Sequence, residues 1–161
     1  MAGQAYIAAE LFDLVREDLQ RVDAEISLRS VASVEAITTI SRYLQEGGGK
    51  RLRPTLLLLS SRLTGGGGDA AIRMAAVVEM LHMATLVHDD VIDVSQIRRG
   101  RPSPNVLWGN HTAVLAGDWL YMQAFQAALE ERDFRILDLL IGLTQMMVEG
   151  ELLQLERIGS M

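Results

Sequence analysis

The run from 70 to 93, AAIRMAAVVEMLHMATLVHDDVID, decides how the chain is read. It is a long stretch rich in Ala, Met, Val and Leu, and it closes on three acids, Asp89, Asp90 and Asp93. The composition predicts a long helix, with Asp69 in position to cap its start. At 100° per residue, Asp89 and Asp93 fall one turn apart on one face, and Asp90 is a close neighbour of Asp93. Three carboxylates in one turn repel, at roughly 0.2–0.5 kcal/mol per like-charged pair. Between Met80 and His88 there is no lysine or arginine to relieve them. A hard divalent cation would. Mg²⁺ takes one or two carboxylates and completes its shell with water and phosphate oxygens. Two readings stay open on these residues: a Mg²⁺–diphosphate site, or a solvated acidic helix end.

Working outward, helical periodicity dominates. Leu11, Leu14, Val15, Leu19, Val22 and Ile26 recur every three or four residues between charged positions, which predicts one amphipathic helix. A second, capped by Ser33, carries Ile37, Ile40, Tyr43 and Leu44 and stops at Gly47–Gly49. A third begins at Pro54, where the missing N–H costs nothing. Residues 94 to 109 hold Gly100, Pro102, Pro104 and Gly109 and read as loop. A fifth helix is expected from Asn110 to Leu129, and a sixth from Phe134 to about Ile158, capped by Asp133. No segment alternates as a strand does. The expectation is a single all-α domain over residues 1–161, with about six helices.

Two basic clusters flank the acids. In Gly47-Gly48-Gly49-Lys50-Arg51-Leu52-Arg53-Pro54, glycine N–H groups, three cations and a helix start come together, as an anion site requires. It is not a P-loop, because no Ser or Thr follows the lysine. Arg98-Arg99-Gly100-Arg101-Pro102 lies just beyond Asp93. Its arginines either pair with the acids or grip the same anion with planar bidentate contacts. His82 stands seven residues before Asp89, on nearly the same face. His88 and His111 read as structural, and Asp118, inside an apolar helix, as buried with a partner.

Composition narrows the function classes. The chain has 161 residues, with Lys plus Arg at 15 against Asp plus Glu at 21, a net charge of −6. That argues against a nucleic-acid binder, which needs a basic face. Cysteine is absent, which removes thiolate metal sites and Cys nucleophiles and fits a reducing compartment. A spanning helix needs roughly 20 nearly uninterrupted apolar residues. Here the long apolar stretches are broken by Glu, His, Asp or Arg, so no transmembrane segment is expected. The first ten residues lack the basic patch and apolar core of a leader. The expectation is a cytoplasmic protein. With 49% hydrophobic residues, it should carry apolar surface that a partner covers.

In this order and at these separations, Gly-Gly-Gly-Lys-Arg-Leu-Arg-Pro, His82, Asp-Asp-Val-Ile-Asp and Arg-Arg-Gly-Arg-Pro resemble the trans-polyprenyl diphosphate synthases. The similarity runs from about Glu35 to Leu155. It implies an isoprenoid synthase-type helical bundle around a central cavity. It also implies Mg²⁺-dependent, head-to-tail condensation of isopentenyl diphosphate with an allylic diphosphate. By resemblance, Asp89, Asp90 and Asp93 match the first aspartate-rich motif, which holds Mg²⁺ against the allylic diphosphate. Arg98 matches the arginine on that same group. Lys50, Arg53, His82 and Arg99 match the cradle for isopentenyl diphosphate. Bulky residues four and five places before the first aspartate close the product tunnel early in this family. Thr85 and Ala84 stand there and are small, which implies a long product of the octaprenyl or solanesyl kind. The stretch Gly150-Glu151-Leu152-Leu153-Gln154-Leu155 resembles that subgroup, with its polar side chains turned to the cavity. Family members are longer, and their second half carries a second aspartate-rich motif and a lysine that this sequence does not show. The chain therefore corresponds to the N-terminal half of such a synthase. A homodimer or a complementary chain is the expected partner. The alternative is a non-catalytic or truncated subunit that binds diphosphate–Mg²⁺ or a partner helical chain.

Overall fold

A computed structural model describes residues 8–159. Residues 1–7, read above for a leader, lie outside the described part. Among the described residues there are eight helices and one two-stranded ribbon. In order these are α1 (Ala8–Leu14), α2 (Arg16–Arg29), α3 (Glu35–Glu46), α4 (Leu52–Leu63), α5 (Gly68–Ile92), β1 (Ile97–Arg98), β2 (Arg101–Pro102), α6 (Pro104–Trp108), α7 (Asn110–Leu129) and α8 (Phe134–Gly159). The all-α expectation holds, with three local corrections.

The first helix is broken at Val15, which is fully buried at the break. The α1 carbonyl of Leu14 accepts a hydrogen bond from Nη1 of Arg62 at 2.6 Å, so the interruption leaves that group satisfied. No glycine or proline marks the position. The expected loop at 94–109 contains α6, with Pro104 in its first turn and Ser103 before it. It also contains the antiparallel ribbon, in which Ile97 faces Pro102 and Arg98 faces Arg101. Two consecutive left-handed residues, Arg99 at φ 52° and Gly100 at φ 76°, make that tight turn.

Two expected caps and one expected helix start also shift. Glu35 opens α3 after Val34, with no side-chain cap from Ser33. Gly68 opens α5 after Gly67, and Asp69 instead accepts a bond from Arg21 at 2.5 Å. Pro54 is the third residue of α4, still within the turn whose N–H groups have no helical partner. Asp133 does cap α8: its Oδ1 accepts the backbone N–H of Arg135 at 2.9 Å.

Helix α5 is the centre of the molecule. It packs most extensively on α7, and also on α4 and α2. Val77, Met80, Leu81, Met83 and Val87 lie in its buried set. Each such side chain contributes about 1.5–3 kcal/mol on leaving water. The α5–α7 contact is built from small residues, Ala76, Ala84, Ala113, Ala116 and Ala124 among them, all fully buried. By length and composition α5 could cross a membrane, a match the sequence reading did not anticipate. Its burial among α2, α4 and α7 accounts for that apolar character. Charges clamp the far end: Arg29 of α2 bonds both oxygens of Glu130 at 2.9 and 2.8 Å, and Arg73 of α5 reaches Glu130 and Glu131.

Candidate functional site

The last turn of α5 divides the three aspartates. Asp90 is 0% exposed; its Oδ1 accepts from Nε of Arg98 at 2.8 Å, while its Oδ2 is buried with no hydrogen-bond partner. Asn105 of α6 donates from Nδ2 to the backbone carbonyls of Asp90 and Ser95, both at 3.1 Å, which ties off the α5 end. Asp93, at the C-cap, is exposed, and Asp89 is partly buried. Asp89 and Asp93, one turn apart, therefore share the outer side of the turn, while Asp90 is turned inward as the counter-charge of Arg98. Burial raises the pKa of Asp89, and the nearby Glu151 and Asp93 raise it further. Glu151 comes from α8, across a cavity that both acids line.

That cavity, of about 530 Å³, lies between α5, α7 and α8. Arg53, His82, Asp89 and Glu151 give it polar walls; Leu86, Ile92, Met147, Val148, Leu152 and Leu155 give it apolar ones. Of the Gly150–Leu155 stretch, Glu151 faces the cavity as expected, while Gln154 is not among its lining residues.

A second cleft adjoins it, lined by Gly49, Lys50, Arg51, Leu52, Arg53, Glu79, His82 and Arg99. Arg51 is committed elsewhere: it bonds Asp23 at 2.8 Å and the buried Glu79 at 2.9 Å. Lys50, Arg53 and Arg99 are exposed, and among the described residues none forms an ion pair with an acid. Gly49 lies close to Arg99: a Cβ there would stand 2.8 Å from its Nη1, so the guanidinium would have to shift. His82 belongs to both the cleft and the cavity. Burial lowers its pKa to about 4, and Arg53, Arg99, Arg98 and Arg51 push the same way. The ring is neutral near pH 7 and offers one donor and one acceptor among cations.

An anion fits the cationic cleft, and an apolar chain fits the cavity it opens into. Among the described residues, no three His, Asp or Glu side chains form a ready metal site. The outward pair Asp89 and Asp93 supplies hard oxygens without thiolate or free imidazole. That donor set suits Mg²⁺ completed by phosphate oxygens and water rather than a softer metal.

Residues 34–160 match the family described as polyprenyl synthetase. The chain belongs to that family. The Escherichia coli octaprenyl diphosphate synthase is 37% identical over 91% of this chain and 46% of its own length. The Rhodobacter capsulatus all-trans-nonaprenyl-diphosphate synthase (geranyl-diphosphate specific) is 41% identical over 88% of this chain and 44% of its own length. Among solved structures, a polyprenyl synthase from Caulobacter crescentus complexed with calcium and isoprenyl diphosphate superposes with a TM-score of 0.90. It is 37% identical, and the match covers 95% of this chain and 47% of that one. A decaprenyl diphosphate synthase from Rhodobacter capsulatus gives 0.88 at 42% identity, covering 91% and 46%. The helical architecture is thus that of the isoprenoid synthases. The chain spans about half the length of the polyprenyl synthases it matches.

Two sequence expectations for this polyprenyl synthetase chain need correction. Of the pair read as a tunnel wall, Thr85 lines the cavity, its Oγ1 bonded to the His82 carbonyl at 2.8 Å. Ala84 is fully buried in the core cluster instead, because adjacent helical positions point 100° apart. Asp118 is 60% exposed rather than buried, and its partner is His88 at 3.3 Å. The His88 ring also contacts the Val114 carbonyl at 3.1 Å and stacks on Tyr121. Sequence reasoning missed the buried pair Arg51–Glu79, whose members are 28 residues apart with no local signal. His111 is exposed.

Proposed function

We propose that this chain forms the diphosphate-binding wall of a Mg²⁺-dependent prenyl transfer site. The reaction condenses isopentenyl diphosphate with an allylic diphosphate, head to tail, into a long-chain polyprenyl diphosphate. One observation carries the reading: a cleft holding the unpaired cations Lys50, Arg53 and Arg99 meets an acid-bearing, apolar cavity at Arg53 and His82. Lys50, Arg53 and Arg99 hold the isopentenyl diphosphate, with neutral His82 as an uncharged hydrogen-bonding partner. Asp89 and Asp93 hold Mg²⁺, and Asp90 keeps Arg98 turned toward the allylic diphosphate. Mg²⁺, when bound, supplies positive charge to the departing diphosphate. As the allylic C–O bond breaks, its electron pair leaves on the diphosphate, where Arg98 stabilises the developing charge. Leu86, Met147, Leu152 and Leu155 keep water from the carbocation. Thr85, small and on the cavity wall, leaves room for a long product.

A second reading rests on the open face of α8. Leu139 is 74% exposed, Met146 65% and Val148 57%, and such a surface needs a cover. In this reading the chain is a binding subunit that works only with a second copy or a complementary helical chain. One experiment addresses both. The chain is mixed with Mg²⁺, labelled isopentenyl diphosphate and farnesyl diphosphate, and the extracted product is sized. Long polyprenyl product, shortened by Thr85→Phe, supports the enzyme. Diphosphate binding without product supports the subunit, and neither binding nor product rejects both.

A further inference from the structure

The β1–β2 ribbon carries Arg98 and Arg99, yet it is only two residues deep on each strand, too short to hold its own shape. Arg98 ties one flank to Asp90. The base is tied by Ser103, whose N–H donates to the Gln96 carbonyl at 3.1 Å and whose hydroxyl donates to the Ser95 carbonyl at 2.5 Å, and the other flank meets α3 at Tyr43. The Tyr43 hydroxyl donates to the Pro102 carbonyl at 2.8 Å. The Arg101 guanidinium lies over the Tyr43 ring, 4.0 Å from its centroid. The edge of that ring meets Trp108 at 5.2 Å and 76°. Arg101, the cation of its motif with no place in the reaction, is thus spent on an aromatic face.

The location of Tyr43 gives these contacts a consequence. Helix α3 ends three residues later at Glu46, and the glycine turn that follows delivers Lys50 to the cleft. The same helix that starts one half of the cradle therefore holds the ribbon that carries the other half. The gap between them is narrow, since the Arg99 guanidinium lies against Gly49, 2.8 Å from where a Cβ would stand.

We infer that Tyr43 is a positioning residue, a latch that fixes the Arg98–Arg99 ribbon against the Lys50 turn so that Arg99 and Lys50 meet one diphosphate. The inference rests on the diphosphate reading above. Tyr43→Phe keeps the ring contacts and removes only the hydroxyl bond; Tyr43→Leu removes all three. Inorganic pyrophosphate is titrated calorimetrically into the wild-type chain and both variants, and the arginine Nε–H resonances are recorded for each. The latch predicts an affinity order of Tyr, Phe, Leu. Loss should be about tenfold or more for Leu and smaller for Phe, the scale of one to a few such contacts. The Arg98 and Arg99 resonances should move in the Leu variant. A merely structural tyrosine would lower the melting temperature while leaving affinity and both resonances unchanged, which would overturn the inference. A wild-type chain that ignores pyrophosphate would remove the diphosphate reading instead. The latch would then stand if Tyr43→Leu shifts the Arg98 and Arg99 resonances, and fall if it does not.

Discussion

Asp90 and Arg98 form a sheltered ion pair beside the site, with the carboxylate at 0% exposure and the guanidinium at 29%. Removing the cation leaves a buried charge without compensation, which is costly. Arg98→Met should therefore destabilise the chain by about 2–4 kcal/mol in urea melts, reduced from the fully buried case because Arg98 keeps some water. A loss below about 1 kcal/mol would put this residue on the surface energetically. His82 offers a second test. Its folded pKa, about 4, lies below the ordinary 6.5, so the unfolded chain binds more protons between those values. The stability from its neutral form is complete above pH 6.5 and is lost as pH falls through 4. In an NMR titration the His82 ring should titrate near 4 alone and higher with pyrophosphate bound, because the anion offsets the arginines. Titration at the ordinary value in the free chain would contradict the crowded geometry. At this scale the sequence was legible where chemistry is contiguous: the glycine–cation run, the aspartates and the double arginine are each local. The inward turn of Asp90, the core position of Ala84 and the Arg51–Glu79 pair depend on contacts between elements, which no local pattern carries.

Among the elements, the long helices were readable because apolar positions recur over many turns. The break at Val15 was not, because Arg62, 47 residues away, supplies the group that satisfies the freed Leu14 carbonyl at 2.6 Å. The short α6 and the ribbon were hidden by the prolines and glycines that also punctuate loops; only Arg99–Gly100 as a tight turn left a trace. The close approach of α5 to α7 makes its own prediction. A Cβ at Gly117 would stand 2.3 Å from Nε2 of His88, and that ring is pinned by Tyr121, Val114 and Asp118. Gly117→Ala should cost about 1–3 kcal/mol of stability in a denaturant melt, the scale of an overpacked contact. An unchanged midpoint would mean that the ring swings aside freely.

Over the whole molecule, the surplus of apolar residues has a visible address. Leu63 is 88% exposed, Phe134 76% and Leu139 74%, and among its described residues α8 buries Leu140 in the core, with Ile136 and Leu137 partly buried against it. This surface fits an assembly larger than one chain. Sedimentation velocity should show association at micromolar concentration, and a clean monomer throughout would count against a helical partner. The composition made this surface foreseeable, but not its place on α8, since nothing local tells a helix which neighbours cover it. A Mg²⁺-dependent diphosphate site on the outward aspartates calls for calorimetric titration of farnesyl diphosphate with and without Mg²⁺, on the wild-type chain and on Asp89→Ala. Binding should saturate, require Mg²⁺ and be abolished in Asp89→Ala. Binding that is indifferent to Mg²⁺ and unchanged in the variant would contradict it.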